Sequence, residues 1–490
     1  MAAVGCGRRD TLEGVDIRMR KAALHNLGCK VNAYETEAME QLLEAAGYEI
    51  VPFQEVADVY VVNTCSVTNI AERKSRQMLH RARKMNPQAV IVAAGCYVQA
   101  AKEALAQDLA IDIIIGNNKK QDLVPVLEDF FRQRDKSGLS WKGDGAPQSD
   151  SAGKMQGQNH GRTVKEPVWA EVIPIDRTRE YENLNISRVS GHTRAFVKVQ
   201  DGCNQFCSYC IIPYTRGRVR SRRMEDVEQE VRRLLAAGCQ EVVLTGIHLS
   251  SYGKDLEDGT GLLDLIGRLH PLKGLKRIRL GSLEPRIVTE KFARSLAGLD
   301  KVCPHFHLSL QSGCDETLKR MNRHYTTAEY ETCCQILRGA FDRPAITTDV
   351  IVGFPGETEG EFEETRKFLE RIHFYEMHIF KYSVRAGTRA AVMDGQIPET
   401  VKAARSDILL NLERQMSEEY RRSFLGKELE ILLEEPVTLD GAAYMTGHTR
   451  EYVKAAVPCG GAERNTLVTG TADSMLTDEI ILCNMLRITF

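Results

Sequence analysis

Six β-rich runs, each separated from the next by a helix-compatible stretch, follow one another from about residue 194: AFVKVQ, EVVLTG, RIRLGS, FHLSLQ, ITTDVIVG and MHIFKYS. Such alternation admits few architectures, because each helix must cross over and return the chain parallel to the previous strand. The expected product is a parallel sheet with helices on its outer face. Six units over about 235 residues fall short of a closed eight-unit barrel, which usually takes about 250 residues or more. An open, partial (β/α)6 barrel over residues 189–421 is therefore expected.

The same alternation occurs earlier in the chain. AALHNLG is strand-like and precedes Tyr34 to Tyr48, where Met39, Leu42, Leu43 and Ala46 recur at helical spacing. VYVVNTC and VIVAAGC are further β-rich runs, so residues 19–135 read as an open parallel α/β domain. Between the two lies Lys136 to Arg162, with six Gly and four Ser in 27 residues and no Val, Ile, Phe or Tyr. That composition suits a linker, and residues 136–188 are assigned to linker and connection. From residue 422 to 490 the pattern changes to LEILLEE, AYMTGHT, EYVKAAV and NTLVTGTA, which reads as a small all-β module. The fold class is α/β overall.

Formal net charge is only -2 over 490 residues, which excludes a globally basic nucleic-acid binder and leaves RNA contact to local patches. MAAVGCGRRD lacks the apolar core of a secretory signal. The longest apolar run, Ala89 to Val98, is about ten residues long and broken by Gly95, against ~20 for a membrane span. A cytoplasmic chain with no membrane association is expected. There, 14 cysteines are candidates for metal binding or catalysis rather than disulfides.

Two cysteine sets stand out. Cys203, Cys207 and Cys210 form a C-x3-C-x2-C run in DGCNQFCSYC, directly after the strand-like AFVKVQ. Three thiolates so close can hold three irons of a four-iron cluster and leave the fourth open to a substrate, since such clusters ordinarily take four cysteines. A zinc knuckle with a distant fourth ligand is the alternative. Cys29, Cys65 and Cys96 each fall where a predicted strand ends, in LHNLGC, VVNTC and VAAGC. In open α/β sheets those ends share one edge, where ligands bind. Three cysteines there can converge as a ligand set, against the alternative of three small buried thiols. Cys6, Cys239, Cys303, Cys314, Cys333, Cys334, Cys459 and Cys483 show no such arrangement, and His305 and His307 read as structural histidines on a strand.

The C-x3-C-x-aromatic-x-C spacing, with Tyr209 as the aromatic, resembles the radical S-adenosylmethionine enzymes. The order of a three-cysteine N-terminal domain, this core and a small β-module resembling a TRAM domain is similar to the methylthiotransferases. LGCKVNAYETEAM, NTCSVTNIAERKSRQ and GCNQFCSYCIIPYTRGRVRSR look most like the threonylcarbamoyladenosine tRNA methylthiotransferase subfamily, and MRKAALHNLGCKVN looks like a typical start, which points to Met19 as an alternative initiator after an extension over residues 1–18.

The resemblance implies two 4Fe–4S clusters. The one on Cys203, Cys207 and Cys210 binds S-adenosylmethionine and cleaves it to a 5′-deoxyadenosyl radical that takes hydrogen from C2 of adenine. The other, on Cys29, Cys65 and Cys96, supplies or carries sulfur. The implied reaction is methylthiolation of C2 of N6-threonylcarbamoyladenosine at position 37 of tRNA, with a flavodoxin or ferredoxin as electron donor. Isopentenyladenosine in tRNA or a ribosomal-protein aspartate is the rival substrate. A non-catalytic, metal-stabilised RNA-binding protein is the rival of a different class. The resemblance also suggests cofactor contacts from Tyr209, Gly246, Ser309, Gln311, Asp349 and Gly353, at or near predicted strand ends.

Two basic clusters flank the cysteine sets. Arg73, Lys74, Arg76, Arg81, Arg83 and Lys84 follow Cys65, and Arg216, Arg218, Arg220, Arg222 and Arg223 follow Cys210. Five arginines in eight residues suit phosphate binding, so the second cluster is expected to hold the anticodon stem-loop of tRNA. The C-terminal module departs from that pattern, with five Lys or Arg against ten Asp or Glu from Gly426 onward; Arg450 and Lys454 are its RNA-contact candidates.

Overall fold

Val59–Thr64 and Val90–Gly95 are buried along their whole length, as strands must be when helices cover both faces of a parallel sheet. The computed structural model describes residues 19–136, 169–191, 193–461 and 463–489. The extension over residues 1–18, Cys6 and all but the first residue of the glycine- and serine-rich stretch lie outside them. In the N-terminal domain β1 (Lys21–Asn26), β2 (Glu49–Ile50), β3 (Val59–Thr64), β4 (Val90–Gly95), β5 (Ile113–Ile115) and β6 (Trp169–Glu171) form one parallel sheet in the order β2-β1-β3-β4-β5-β6. Alternate residues serve opposite cores: Tyr60, Val62, Ile91 and Ala93 pack to one side, and Val59, Val61, Val90 and Val92 to the other. The strand β6 lies beyond the expected domain end at residue 135, yet it completes this sheet against β5.

The core contains β7 (Arg194–Asp201), β8 (Arg220–Ser221), β9 (Glu241–Gly246), β10 (Arg277–Leu280), β11 (His305–His307), β12 (Ala345–Val352) and β13 (Glu376–Lys381). Their ladders run β8-β7-β9-β10 and β11-β12-β13, parallel except for β8, and single bridges link the β10 and β11 segments. Among the described residues no ladder joins β13 to β7 or β8, so the six parallel strands make an open barrel. Ala195, Val197 and Val199 face the helices, which leaves Arg194, Lys198 and Gln200 on the inner side of β7.

The C-terminal module is a closed five-stranded barrel of β14 (Glu428–Leu439), β15 (Ala442–Thr449), β16 (Lys454–Pro458), β17 (Leu467–Met475) and β18 (Ile481–Thr489). It docks on the core through two buried arginines. Arg277 donates to the carbonyls of Glu430 at 2.8 Å and His448 at 3.0 Å, and Arg279 to the carbonyl of Arg450 at 2.8 Å. Glu241 compensates both from 2.7 Å and 3.5 Å. Burial alone would raise its pKa; the two guanidiniums override that and hold it at about 2. Tyr452 enters the same seam, with Arg194 and Arg279 over its ring at 4.8 and 4.9 Å and His305 and His448 stacked on it at 4.9 and 4.6 Å.

Candidate cysteine-lined active site

Cys203, Cys207 and Cys210 occupy the loop at the carboxyl end of β7. Gly202, at φ +71°, starts this loop where a Cβ would stand 1.8 Å from the Arg218 carbonyl, so only glycine fits. Cys203 N–H donates to the Gly217 carbonyl at 3.0 Å, and Cys210 N–H to the Cys207 carbonyl at 3.0 Å, which fixes the spacing of the three thiols. Two groups donate to sulfur: Arg323 Nη1 to Cys207 Sγ at 3.2 Å and Gln205 N–H to Cys203 Sγ at 3.4 Å. Burial pushes the Cys203 thiol up to about 11 and Cys210 to about 12. Bare thiolates are therefore costly here, and a bound cationic metal centre removes that cost by displacing the protons.

A cavity opens beside these thiols, walled also by Tyr209, Ser309, Gln311, His248 and Glu284. Gln311 is held at φ +74°, unusual for a side-chain-bearing residue, by paired backbone hydrogen bonds with Asp349 and Ile351. Three expected cofactor residues stand elsewhere. Gly246 packs its backbone against Gln200 and leaves the wall to Ile247. Gly353, at φ +69°, donates its N–H to Glu357 at 2.6 Å and gives room to Lys402, whose Cγ would lie 2.3 Å from an added Cβ. The Asp349 carboxylate sits 3.3 Å from His307 Nε2, facing the barrel interior. Arg323 and His248 were not legible as site residues, because Arg323 reaches the cavity from a loop between two helices and His248 from the end of β9, each far from the cysteines in sequence and with no local motif.

Cys29, Cys65 and Cys96 stand at the carboxyl ends of β1, β3 and β4, which are neighbours in the sheet. Cys29 caps α1 (Lys30–Ala45), and Cys96 begins the short helix Cys96–Ala100. Gly28, at φ +115°, allows the close approach of Cys65, whose Sγ would be 3.1 Å from a Cβ there. Burial raises Cys65 to about 11, with the Cys96 and Cys29 charges adding to the rise. A single zinc ion holds its sulfurs at about 2.3 Å, which places them within about 4 Å of one another. Among the described residues neither cysteine triad gathers its three sulfurs within 4.8 Å of each other.

Arg216 ties the two sites together. It is fully buried, follows Cys210 by six residues, and donates from Nε to Cys96 Sγ at 3.3 Å in the other triad. Its remaining nitrogens reach Glu35 at 2.8 Å, Asp201 at 3.2 Å and Asn32 at 2.6 Å. Lys198 pairs with Glu35 and Asp201 at 2.7 and 2.6 Å, and Lys120 with Glu35 at 3.1 Å. Arg220 lies 3.7 Å from Asp201, and Glu182 accepts from the backbone of Lys120 and Gln121. Burial opposes the Glu35 carboxylate, but Arg216, Lys120 and Lys198 hold its pKa well below the usual range. Four buried cations thus meet three buried carboxylates, and the surplus positive charge faces Cys96. A metal-bound thiolate completes the balance, so this donor set fits an iron–sulfur centre.

This network overturns part of the expected RNA surface. Arg216, Arg220 and Arg222 are at most 2% exposed and are committed to internal partners, Arg222 to Glu230 and to Asn185 at 2.5 Å. Only Arg218 and Arg223 of that cluster are exposed. On α2 (Asn69–Met85), Arg73, Lys74, Arg76, Arg81 and Lys84 face solvent, while Arg83 pairs with Asp112 at 2.5 Å. Arg450 is spent on docking the module, donating to the Val302 carbonyl at 2.9 Å, and Lys454 lies 3.6 Å from Glu435.

A family model described as the radical SAM superfamily matches residues 197–369, and one described as uncharacterized protein family UPF0004 matches residues 21–116. The chain is 39% identical over 438 residues to the threonylcarbamoyladenosine tRNA methylthiotransferase MtaB of Bacillus subtilis, covering 89% of this chain and 90% of that protein. It is 37% identical to the Aquifex aeolicus protein of the same name, over 84% of this chain and 92% of that one. With the tRNA-2-methylthio-N(6)-dimethylallyladenosine synthase of Moorella thermoacetica it shares 35% identity over 94% of each chain. Among solved structures, the radical S-adenosylmethionine methyltransferase TsrM from Kitasatospora setae shares the fold, with a TM-score of 0.53 and 16% identity over 76% of this chain and 77% of that one. With cysteine sites at the strand ends of both domains and relatives matched over most of its length, the chain belongs to the radical S-adenosylmethionine methylthiotransferases, whose cofactors are S-adenosylmethionine and 4Fe–4S clusters.

Proposed function

We propose that this chain methylthiolates C2 of N6-threonylcarbamoyladenosine at position 37 of tRNA, with Cys203, Cys207 and Cys210 holding one 4Fe–4S cluster and Cys29, Cys65 and Cys96 the other. The observation that carries the reading is that Arg216, six residues beyond Cys210 in the chain, is hydrogen-bonded to Cys96 of the other triad. Bound at these triads, the clusters supply reductive cleavage of S-adenosylmethionine at one and the sulfur to be inserted at the other. The chain's own residues do the rest. Tyr209, Ser309 and Gln311 wall the cavity beside the first triad and orient the cofactor there. Arg323 and Arg216 donate to one sulfur of each triad and hold its negative charge out of water.

The RNA approaches over the exposed basic side chains of α2 together with Arg218 and Arg223. Phe206 and Tyr214 meet edge to face at 5.8 Å, with Arg218 over the Phe206 ring at 4.7 Å, and offer base-stacking surface beside the first triad. A flavodoxin or ferredoxin supplies the electron. The test is expression in cells lacking methylthiotransferases of their own, followed by mass spectrometry of tRNA nucleosides. A methylthio derivative of threonylcarbamoyladenosine is the expected product. Methylthio-isopentenyladenosine in its place overturns the substrate assignment, and absence of both overturns the tRNA reading.

A further inference from the structure

A second group of side chains converges on the barrel interior without a part in the triads. His307 on β11, Asp349 on β12 and His378 on β13 bring one ligand-type atom each within 4.8 Å of the others. Thr347 Oγ1 orients His307 from 3.0 Å through Nδ1, and the His307 and His378 rings stack at 5.8 Å. This is an open surface, since His378 is exposed and Phe380, next on the same face of β13, is 46% exposed.

Lys30 completes the group from the other domain. It follows Cys29 directly and is exposed, and its ammonium makes no hydrogen bond or ion pair among the described residues. Lys30 opens α1, whose Tyr34 and Ala38 are buried in the barrel core, so its side chain meets the barrel from the N-terminal domain, where desolvation and the charges of Arg279, Arg194 and Asp349 act on it. On the opposite flank, the Asp349 carbonyl accepts from Gln311 N–H at 2.8 Å, and Gln311 walls the cavity of the first triad. The group therefore lies between the two cysteine sites. Arg194, Arg279 and Lys30 disfavour a divalent cation there, whereas an unpartnered ammonium beside histidines and one carboxylate suits an organic anion that also carries donors.

We propose that Lys30, His307, Asp349 and His378 form the subsite for a polar, carboxylate-bearing N6 substituent on the target adenine, and that they reject an apolar one. This rests on the functional reading above. C2 and C6 flank N1 in the pyrimidine ring and their outward bonds diverge, so a base whose C2 faces the triads directs its N6 group to one side of them, toward the neighbouring barrel interior. A threonylcarbamoyl group presents one carboxylate to Lys30, and N–H and hydroxyl donors to Asp349. The two histidines take either role. An isopentenyl group satisfies none of these, and covering these polar groups without pairing them disfavours such an analogue.

The experiment measures anaerobic affinity of the cluster-loaded protein for anticodon stem-loop RNAs whose adenosine carries threonylcarbamoyl, its carboxamide analogue, isopentenyl or hydrogen. Wild-type protein should prefer the threonylcarbamoyl RNA. Lys30→Met should lower that preference about ten- to hundredfold, the range of a charged hydrogen bond, with Lys30→Arg restoring part of it. Loss from the carboxamide and loss from Lys30→Met should not add. Because Lys30 adjoins Cys29, iron content is measured alongside. His378→Gln, remote from the cysteines, gives an independent reading and should also reduce the preference. A wild-type preference that both variants retain, or a loss equal for all four RNAs, overturns the subsite. A wild-type protein indifferent to the N6 group overturns the functional reading itself.

Discussion

Replacing Arg216 by Met removes the cation that joins the two cysteine sites while keeping the length of an unbranched side chain. Removing one partner of a buried ion pair costs about 3–5 kcal/mol, because the other charge is left in a medium that cannot solvate it. The network softens that cost. Glu35 keeps Lys198 at 2.7 Å and Lys120 at 3.1 Å, and Asp201 keeps Lys198 at 2.6 Å. The lower end, about 3 kcal/mol, is therefore expected. Trp169 sits at the edge of the N-terminal sheet and reports its unfolding in urea. Glu35→Gln combined with Arg216→Met should cost less than the two single changes added, with a coupling of about 2 kcal/mol. The Met variant should also lose iron from the N-terminal triad to a chelator faster than from Cys203, Cys207 and Cys210, since only Cys96 loses a donor at 3.3 Å. A loss below about 1 kcal/mol, strict additivity, or equal iron loss from both triads refutes the bridging role.

Changing Cys29, Cys65 and Cys96 to Ala should halve the iron bound by the reconstituted chain, from about eight to about four atoms, as read by chemical iron analysis. Arg218→Ala should weaken tRNA binding and lower its salt dependence by about one phosphate contact, whereas Arg220→Ala should act on thermal stability, since Arg220 donates to the Arg216 and Arg218 carbonyls at 2.9 and 3.0 Å. Glu241 has a folded pKa of about 2 against an ordinary 4.5. Its contribution is therefore present above pH 4.5 and lost as pH falls toward 2, worth at most about 3 kcal/mol. Glu241→Gln should flatten that acid limb, and limited proteolysis should show the C-terminal module released earlier.

Much of the architecture was legible because periodicity and burial coincide. VYVVNT and VIVAAG are buried along their whole length and lie in the sheet centre, with apolar residues over most of each, and the cysteines after them end at one edge, as parallel strands require. The arginine cluster misled for a physical reason. A local run of arginines is equally basic whether its charges face phosphate or buried carboxylates, and the carboxylates here are far away in sequence. Arg216 meets Glu35, 181 residues earlier, and only the tertiary fold brings them together. The same holds for Arg323, which reaches Cys207 across 116 residues. The edge strand β6 was missed because three residues, WAE, carry no period. The fifth strand of the module, Ile481–Thr489, escaped for want of a preceding turn motif among the pieces recognised.

The position of Arg216 constrains how the two sites can work together. It ends the short helix Ile212–Arg216, six residues beyond Cys210. At helical rise, six residues span about 9 Å, and even fully extended they could span no more than about 22 Å. One arginine side chain then closes the gap to Cys96. The separation of the triads is thus set by local covalent structure and a locked side chain, not by a mobile domain interface. Tyr34 and Ala38 of α1 reinforce this, since both are buried in the core of the barrel domain, and Tyr34 donates to the Leu184 carbonyl at 2.6 Å. Two sites held so rigidly cannot admit a base by parting. An open edge then offers the base its way in, and at β13, one edge of the open barrel, His378 and Phe380 meet solvent. A disulfide or bulky substitution that seals β13 should therefore block turnover on RNA while leaving both triads loaded with iron, and full turnover in such a variant would show that the base enters elsewhere.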